Sequence, residues 1–466
     1  MSGSAGPWSG RRLHLVGVGG AGMSAYARAA HALGAELSGS DAADGPYLRA
    51  LAADGVLEAH VGHRAENLPQ GEGVELVYSS AVPAENPERA AARARGVPEL
   101  SRAQLLGELT AMRRTIAVAG THGKTTTAAM LAHALRGAGL DPGWLVGAPI
   151  GGGLANAHWS EGEWLVVEAD ESDRSMLSLS AEVAVLTNVE LDHHTAFSSL
   201  GELREAFAAF LALASRAVVV PDRRALLELA GWPAPVDFSA PAGAGGTGAA
   251  AAEIVPFDAD APQLTAGGSS FGWRGHEVTL AVPGLHNALD AAAALEAARL
   301  AGADAELAID ALRAFPGAGR RFQRLGRSHA GAEVFEDYAH HPTEIAATLA
   351  GARTLPHRRL VAVFQPHLFS RTALLAREFG AALADADAAV VLDVYPARER
   401  AQEHPGVSGL TIARAAADAA RGRQVCWTPT FAQAQAALAT LLGEGDVCVV
   451  MGAGDVDELA HALVGA

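Results

Sequence analysis

The 466-residue chain has little cysteine, almost no lysine and no long apolar run. Its two cysteines, Cys426 and Cys448, each sit among apolar neighbours. They provide neither a metal-ligand pair nor a disulfide framework, which suits a reducing compartment. No apolar stretch approaches the roughly 20 residues that a spanning helix needs. Positive charge is also short: 35 basic residues face 52 acidic ones, for a net charge of −17. That field repels nucleic acid and anionic lipid, so neither nucleic acid nor membrane is an expected partner. An anionic ligand would need a locally basic pocket. The first residues, MSGSAGPWSGRRLHLVGVGG, lead their arginines into a glycine-rich turn rather than a signal-peptide core, and a cytoplasmic location is expected.

Arginine supplies all of the basic side chains except one, Lys124. The chain is rich in Ala, Gly and Arg, so a compositional bias explains most of this replacement. A position that keeps lysine under such pressure points to a need for a compact ammonium rather than a planar fork.

Half of the residues are hydrophobic and 19% are charged, enough to build several cores. At about 150 residues per domain, the length predicts roughly three domains. The first unit reads as a strand over Leu13 to Val18, a turn Gly17-Val18-Gly19-Gly20-Ala21-Gly22 and an alanine-rich helix. Asp41 follows in the string SGSD, and a second strand candidate, Val74 to Tyr78, ends in Ser79-Ser80. The second unit starts near Arg113. A strand over Thr115 to Ala119 enters Gly120-Thr121-His122-Gly123-Lys124-Thr125-Thr126-Thr127 and another helix, and strand candidates recur at Trp164 to Val167, Val183 to Leu186 and Ala217 to Val220. The Gly/Ala-rich stretch from Ala240 to Ala252 reads as a surface insertion. The third unit starts near Arg320, with strands at Val334 to Phe335, Leu360 to Phe364, Ala389 to Val394 and Val447 to Met451. Alternating strands and helices predict three successive α/β domains with parallel sheets.

Two glycine loops carry the chemistry. The first matches G-x-G-x-x-G between a strand and a helix, where glycine lets the backbone approach a pyrophosphate. Asp41 is placed to meet a ribose or a base, although an isolated aspartate is more often a solvated loop residue. The motif alone does not choose among nucleotides. The second loop is more specific. Backbone amides cradle phosphate, a lysine bridges the β- and γ-phosphates, and the following hydroxyl ligates Mg²⁺. Gly123, Lys124 and Thr125 supply those elements, but the loop is the short G-x-x-G-K-T, because Val118 stands where the longer form has glycine. Glu168 ends one strand, and Thr187-Asn188-Val189-Glu190-Leu191-Asp192-His193-His194 ends the next. Oxygen and imidazole ligands at strand ends beside a phosphate loop suit Mg²⁺.

In order along the chain, GVGGAGMS, SGSD, YSSAVPAENPE, GTHGKTTT, EADESDRS, TNVELDHH, GLHNA, RRF, DYAHHPTE, QPHLFSRT, VYPARE and MGAGD occur. Together they resemble the Mur ligase family over nearly the whole chain. The resemblance implies a Rossmann-like domain at 1–112 binding a UDP-sugar, a P-loop ATPase-like domain at 113–318, and a Rossmann-like domain at 319–466 that closes over the site. It implies that Gly17, Gly19, Gly20, Gly22, Asp41, Ser79 and Ser80 hold the UDP substrate. ATP would lie on Gly120, Thr121, His122, Gly123, Lys124, Thr125 and Thr126, with Asn287 at the adenine and Asp337 also on ATP. Thr125, Glu168 and His193 would hold Mg²⁺, and Lys124, Glu168, His193, His340 and Arg371 would be catalytic. The alanine-adding form of the first turn, GGAGMS, implies UDP-N-acetylmuramate and L-alanine as substrates, joined through an acyl phosphate. Asp290 stands where the family commonly has asparagine, adding charge near the adenine side, and Glu336-Asp337 replaces an Asp-Asp pair. Several Mur ligases support a second metal with a carbamylated lysine. Lys124 is already assigned to phosphate, which leaves His193 for that task. The competing readings are a ligase for murein tripeptide, a catalytically silent nucleotide-binding regulator, and an NAD-dependent oxidoreductase, which leaves the second loop unexplained.

Overall fold

The computed structural model describes residues 6–192, 196–231, 252–265 and 267–465. His193 and nearly all of the Gly/Ala-rich stretch at 240–252 therefore lie outside the described residues. The chain divides into two compact units, one of residues 1–258 and 290–312, the other of 259–289 and 313–466.

The first unit carries two sheets. Strands β1 (Arg12–Val16), β2 (Glu36–Asp41), β3 (Glu58–Val61), β4 (Val74–Tyr78) and β5 (Glu99–Ser101) form a parallel sheet of order β3-β2-β1-β4-β5. The order reverses at β1, so the carboxyl ends of β1 and β4 border a crevice of the kind that receives ligands in open α/β sheets. β1 stops at Val16, two residues before its apolar run ends, because Gly17 and Val18 turn to bond the Ser40 carbonyl.

A second sheet is built from β6 (Arg114–Ala119), β7 (Gly143–Leu145), β8 (Ala157–His158), β9 (Trp164–Glu168), β10 (Ala181–Leu186), β11 (Ala214–Pro221) and β12 (Glu253–Phe257), in the order β12-β11-β10-β6-β9-β7-β8. All its pairs are parallel except the short β7–β8 edge. The strands read as continuous apolar runs because both faces are covered; Trp164, Phe197, Phe207 and Phe210 are fully buried around them.

A buried polar network braces the first sheet. Glu88, on the helix Pro87–Arg95, accepts hydrogen bonds from Ser40 Oγ at 2.6 Å and Asn67 Nδ2 at 2.9 Å, and lies 2.8 Å from His14 Nε2. His14 Nδ1 is 2.8 Å from Ser38 Oγ. Burial alone would raise the Glu88 carboxyl, but the bonds from His14, Ser40 and Asn67 outweigh it and lower the pKa to about 2.

The second unit has a three-stranded antiparallel sheet, β13 (Asp260–Thr265), β14 (Gly268–Trp273) and β15 (His276–Leu280). It also has a six-stranded sheet of β16 (Gln323–Arg327), β17 (Glu333–Asp337), β18 (Leu360–Phe364), β19 (Ala388–Val391), β20 (Gln424–Trp427) and β21 (Val447–Met451), ordered β16-β17-β21-β18-β19-β20. Only β16 runs antiparallel to its neighbour. On β18, Leu360, Ala362 and Phe364 pack into one core, and Val361 and Val363 into the core on the opposite face. Helices cover both faces, which accounts for the unbroken apolar string LVAVF.

Candidate active site

Within the first unit the glycine turn is built by close approach. Gly17 has φ +80°, and a Cβ there would lie 2.9 Å from Ser79 Cβ. A Cβ on Gly19 would lie 2.9 Å from the Asp41 carboxyl carbon. Asp41 Oδ2 instead accepts the Gly19 amide at 2.8 Å. Gly17, Gly19, Asp41 and Ser79 are thus brought together, with Ser80 exposed beside them. Gly20 heads the helix Ala21–Ala32 and offers no side-chain cap to the first amides of that helix, the arrangement in which a helix N-terminus can receive an anion. Gly22 lies against Arg102, whose Nη2 would be 3.6 Å from a Cβ at that position.

The lysine loop follows β6 and is fastened to the segment after β10. Gly120 has φ +136° and sits so close to Thr187 Oγ1 that any side chain would collide. Thr121 donates to the Glu190 carbonyl at 2.9 Å, and the His122 amide donates to Asn188 Oδ1 at 2.9 Å. The His122 ring also meets Glu190, at 2.9 Å. Gly123, at φ +81°, caps the helix Lys124–Gly137 without a side chain. Asp290 lies directly under Gly123, 2.4 Å from where a Cβ would be, so the residue expected on the adenine side packs beneath the lysine loop.

Lys124 Nζ donates to the carbonyls of Gly120 at 2.6 Å and Thr121 at 3.1 Å and pairs with Glu171 at 2.9 Å. Burial pulls its pKa down, but Glu171 and Asp170 more than offset this and hold the ammonium above its ordinary value. Thr126 is buried in the first turn of the helix Lys124–Gly137. Thr125 Oγ1 donates to Glu168 Oε1 at 2.9 Å, while Glu168 Oε2 accepts the Gly147 amide at 2.6 Å. A hydroxyl and a carboxylate in contact at the edge of a phosphate loop form a donor set that fits a hard divalent cation. Asp170 and Asp173 add further negative charge and pair with Arg102 at 3.5 and 3.3 Å.

In the second unit, Asn287 is buried and donates to the Pro283 carbonyl at 2.7 Å. Asp337, at the carboxyl end of β17, accepts the amides of Phe322 at 2.8 Å and Ala339 at 2.7 Å. Burial is the larger influence and pushes its carboxyl up to about 6. His340 Nδ1 lies 2.9 Å from the Tyr338 carbonyl. A carbonyl only accepts, so Nδ1 carries the proton and Nε2 the lone pair when the ring is neutral. The rings of His340 and His367 are 6.0 Å apart, and the buried Arg371 reaches His367 Nδ1 at 3.4 Å. His340 and Arg371 therefore meet through His367, which also stacks on Tyr395. Leu368 between them holds φ +70°, a strained value for a leucine.

Sequence reasoning did not single out Arg102, Glu171, Asn188, Glu190 or His367 as individual site residues. The last four lie inside the quoted strings EADESDRS, TNVELDHH and QPHLFSRT, but Arg102 stands in a stretch with no motif.

The Mur ligase family, catalytic domain model matches residues 12–114, the Mur ligase middle domain model 118–298, and the Mur ligase, glutamate ligase domain model 320–454. The chain is 42% identical to a UDP-N-acetylmuramate–L-alanine ligase of Mycolicibacterium vanbaalenii, covering 97% of this chain and 96% of that one. It is also 42% identical to the ligase of the same name from Nocardia farcinica, covering 97% and 94%. Among solved structures, the UDP-N-acetylmuramate-alanine ligase of Thermotoga maritima matches with a TM-score of 0.80 and 26% identity, covering 97% of this chain and 98% of that one. A murein peptide ligase of Psychrobacter arcticus follows with a TM-score of 0.71 and 25% identity, covering 98% of each.

Proposed function

The chain belongs to the Mur ligase family, and on that premise we propose that it joins L-alanine to the carboxylate of UDP-N-acetylmuramate at the expense of ATP. The products are UDP-N-acetylmuramoyl-L-alanine, ADP and phosphate, a step of peptidoglycan precursor synthesis. One observation carries this reading: a single compact unit holds both the glycine turn closed by Asp41 and the lysine loop with Thr125 against Glu168. We assign residues 1–112 to the UDP-sugar, 113–318 to ATP, and 319–466 to the domain that closes on both.

An amine does not displace oxide from a carboxylate at neutral pH. The muramoyl carboxylate instead attacks the γ-phosphorus of ATP, ADP departs, and the acyl phosphate that results loses inorganic phosphate when the alanine nitrogen attacks its carbonyl carbon. Gly17, Gly19, Gly20 and Gly22 receive the UDP pyrophosphate beside Asp41, Ser79 and Ser80. Gly120 to Thr126 cradle the ATP phosphates, and Lys124 offsets charge on the moving phosphoryl group. Thr125 and Glu168, joined by His193, are the residues that would hold Mg²⁺, which when bound supplies further charge neutralisation at the phosphates. Asn287 and Asp337 serve ATP. His340 takes the proton that the incoming ammonium sheds, through the lone pair on Nε2, and Arg371 meets the alanine carboxylate. Among the described residues no helix is long and apolar enough to cross a membrane.

The test is ADP release from the purified chain with ATP, Mg²⁺ and UDP-N-acetylmuramate, with L-alanine or a murein tripeptide added in parallel. Release that depends on L-alanine supports the reading. Release with the tripeptide alone transfers the chain to the murein peptide ligase reaction. Positional isotope exchange in ATP without alanine should require the UDP-sugar; exchange indifferent to the sugar removes the acyl phosphate.

A further inference from the structure

An ammonium has three N–H bonds, and Lys124 uses all three within its own loop and acid cluster. Two go to the Gly120 and Thr121 carbonyls, and the third straddles the oxygens of Glu171 at 2.9 and 3.0 Å. The Glu171 side chain is 0% exposed. Its acidic neighbours have a different counter-ion, since Asp170 and Asp173 pair with Arg102. To reach a phosphate, Lys124 must turn away from at least one of its three partners. The two carbonyls are neutral dipoles whose lost hydrogen bonds can be replaced by water or a neighbouring N–H. A buried carboxylate that loses its cation keeps a full uncompensated charge, the most expensive of the three losses. It also stands as a negative charge beside an incoming polyanion.

We infer that Glu171 is a positioning residue for Lys124 that holds nucleotide affinity down, drawing the ammonium back after phosphoryl transfer so that ADP leaves. The inference rests on reading this loop as the ATP site. It extends that reading, because it assigns a role in product release to a side chain that touches no substrate. Binding energy spent on holding ADP would slow turnover without aiding the chemical step.

Glu171→Gln keeps the shape and one carbonyl acceptor for Lys124 but removes the charge. ADP binding, measured by titration calorimetry on the full chain with Mg²⁺, is expected to tighten roughly tenfold, within the usual range for coupling between sites. The KM for ATP and kcat should fall together, as expected when release of product limits the rate. General damage to the fold does not tighten a ligand, so the gain separates positioning from mere support. Unchanged or weaker ADP binding in a variant that melts as the wild type does would overturn the inference. If the glutamine variant does not fold, Glu171→Asp decides: withdrawing the charge by one methylene should still tighten ADP several-fold, and no gain overturns the proposal. Wild-type protein that binds no ADP at all would instead refute the ATP-site reading itself.

Discussion

At the scale of single residues, the two ligand sites separate cleanly. Lys124 lies on the phosphate loop, and Asp41, at the end of β2, holds the glycine turn, so each substitution should affect one ligand only. Lys124→Ala is expected to lower turnover by about 10³-fold or more, as loss of a preorganised charge at a transferring group does. UDP-sugar binding should persist in a calorimetric titration, and loss of both would show the assignment of the two loops to be wrong. Asp41→Ala removes the acceptor that closes the Gly19 amide at 2.8 Å. UDP-sugar affinity should fall roughly tenfold, comparable to the loss of one charge-assisted hydrogen bond. The KM for ATP is expected to stay within experimental scatter of the wild type.

At the scale of elements, the Glu88 network ties β1, β2 and the helix Pro87–Arg95 together through His14, Ser40 and Asn67. Removing Glu88 leaves the buried partners Ser40, Asn67 and His14 unsatisfied, at about 1–3 kcal/mol for each group stranded, so Glu88→Ala should produce a large fall in melting temperature. The pH dependence follows from the lowered carboxyl, at about 2 against an ordinary 4.5. The folded state binds this proton less tightly than the unfolded chain. The stabilisation is therefore fully present above pH 4.5 and is lost as pH falls through about 2. At 1.36 kcal/mol per unit it amounts to about 3 kcal/mol. Acid unfolding of Glu88→Gln should lack this segment of the curve between pH 4.5 and 2.

Elements also mark how far the sequence could be read. The apolar strands β18 and β21 match their expected ranges because burial on both faces leaves an unbroken hydrophobic signature, and β4 matches as well although Glu75 interrupts its apolar run. β2, with the sequence ELSGSD, carries no such signature. It is a strand because Gly39 lies so close to the Leu15 carbonyl that only glycine fits, and because Ser38 and Ser40 are satisfied by residues far along the chain. Those are tertiary causes, invisible to local pattern. The antiparallel sheet of β13, β14 and β15 was likewise unforeseen; β13 is exposed along its length and its pairing depends on its neighbours. In the site, motif residues were legible because phosphate loops impose fixed spacing. Arg102 was not, since its value comes from meeting Asp170 and Asp173 across about seventy residues of sequence.

For the molecule as a whole, the scarcity of cysteine has a geometric counterpart. Cys448 lies on β21 and Cys426 on β20, with β18 and β19 between them in the sheet. Three strand spacings put the two cysteines about 14 Å apart, well beyond the roughly 7 Å a disulfide allows between Cα atoms. Both thiols are free, and burial pushes that of Cys448 up to about 12, where it is a poor nucleophile. The melting temperature should therefore be the same with and without reductant; a reductant-dependent shift would contradict the strand order. The sheet orders and the coverage of both faces also explain why three α/β domains could be expected from length and alternation alone. The grouping of residues 259–289 with 313–466 was not, because it joins segments that the chain order separates.

The isolation of Lys124 makes it a built-in reporter. Acylating reagents that need an unprotonated primary amine have a single ε-amine to modify in all 466 residues. That amine is shielded, triply bonded and held protonated beside Glu171. Side-chain labelling of the folded chain should therefore be slow at one position and silent elsewhere, so that its rate reports how often the phosphate loop opens.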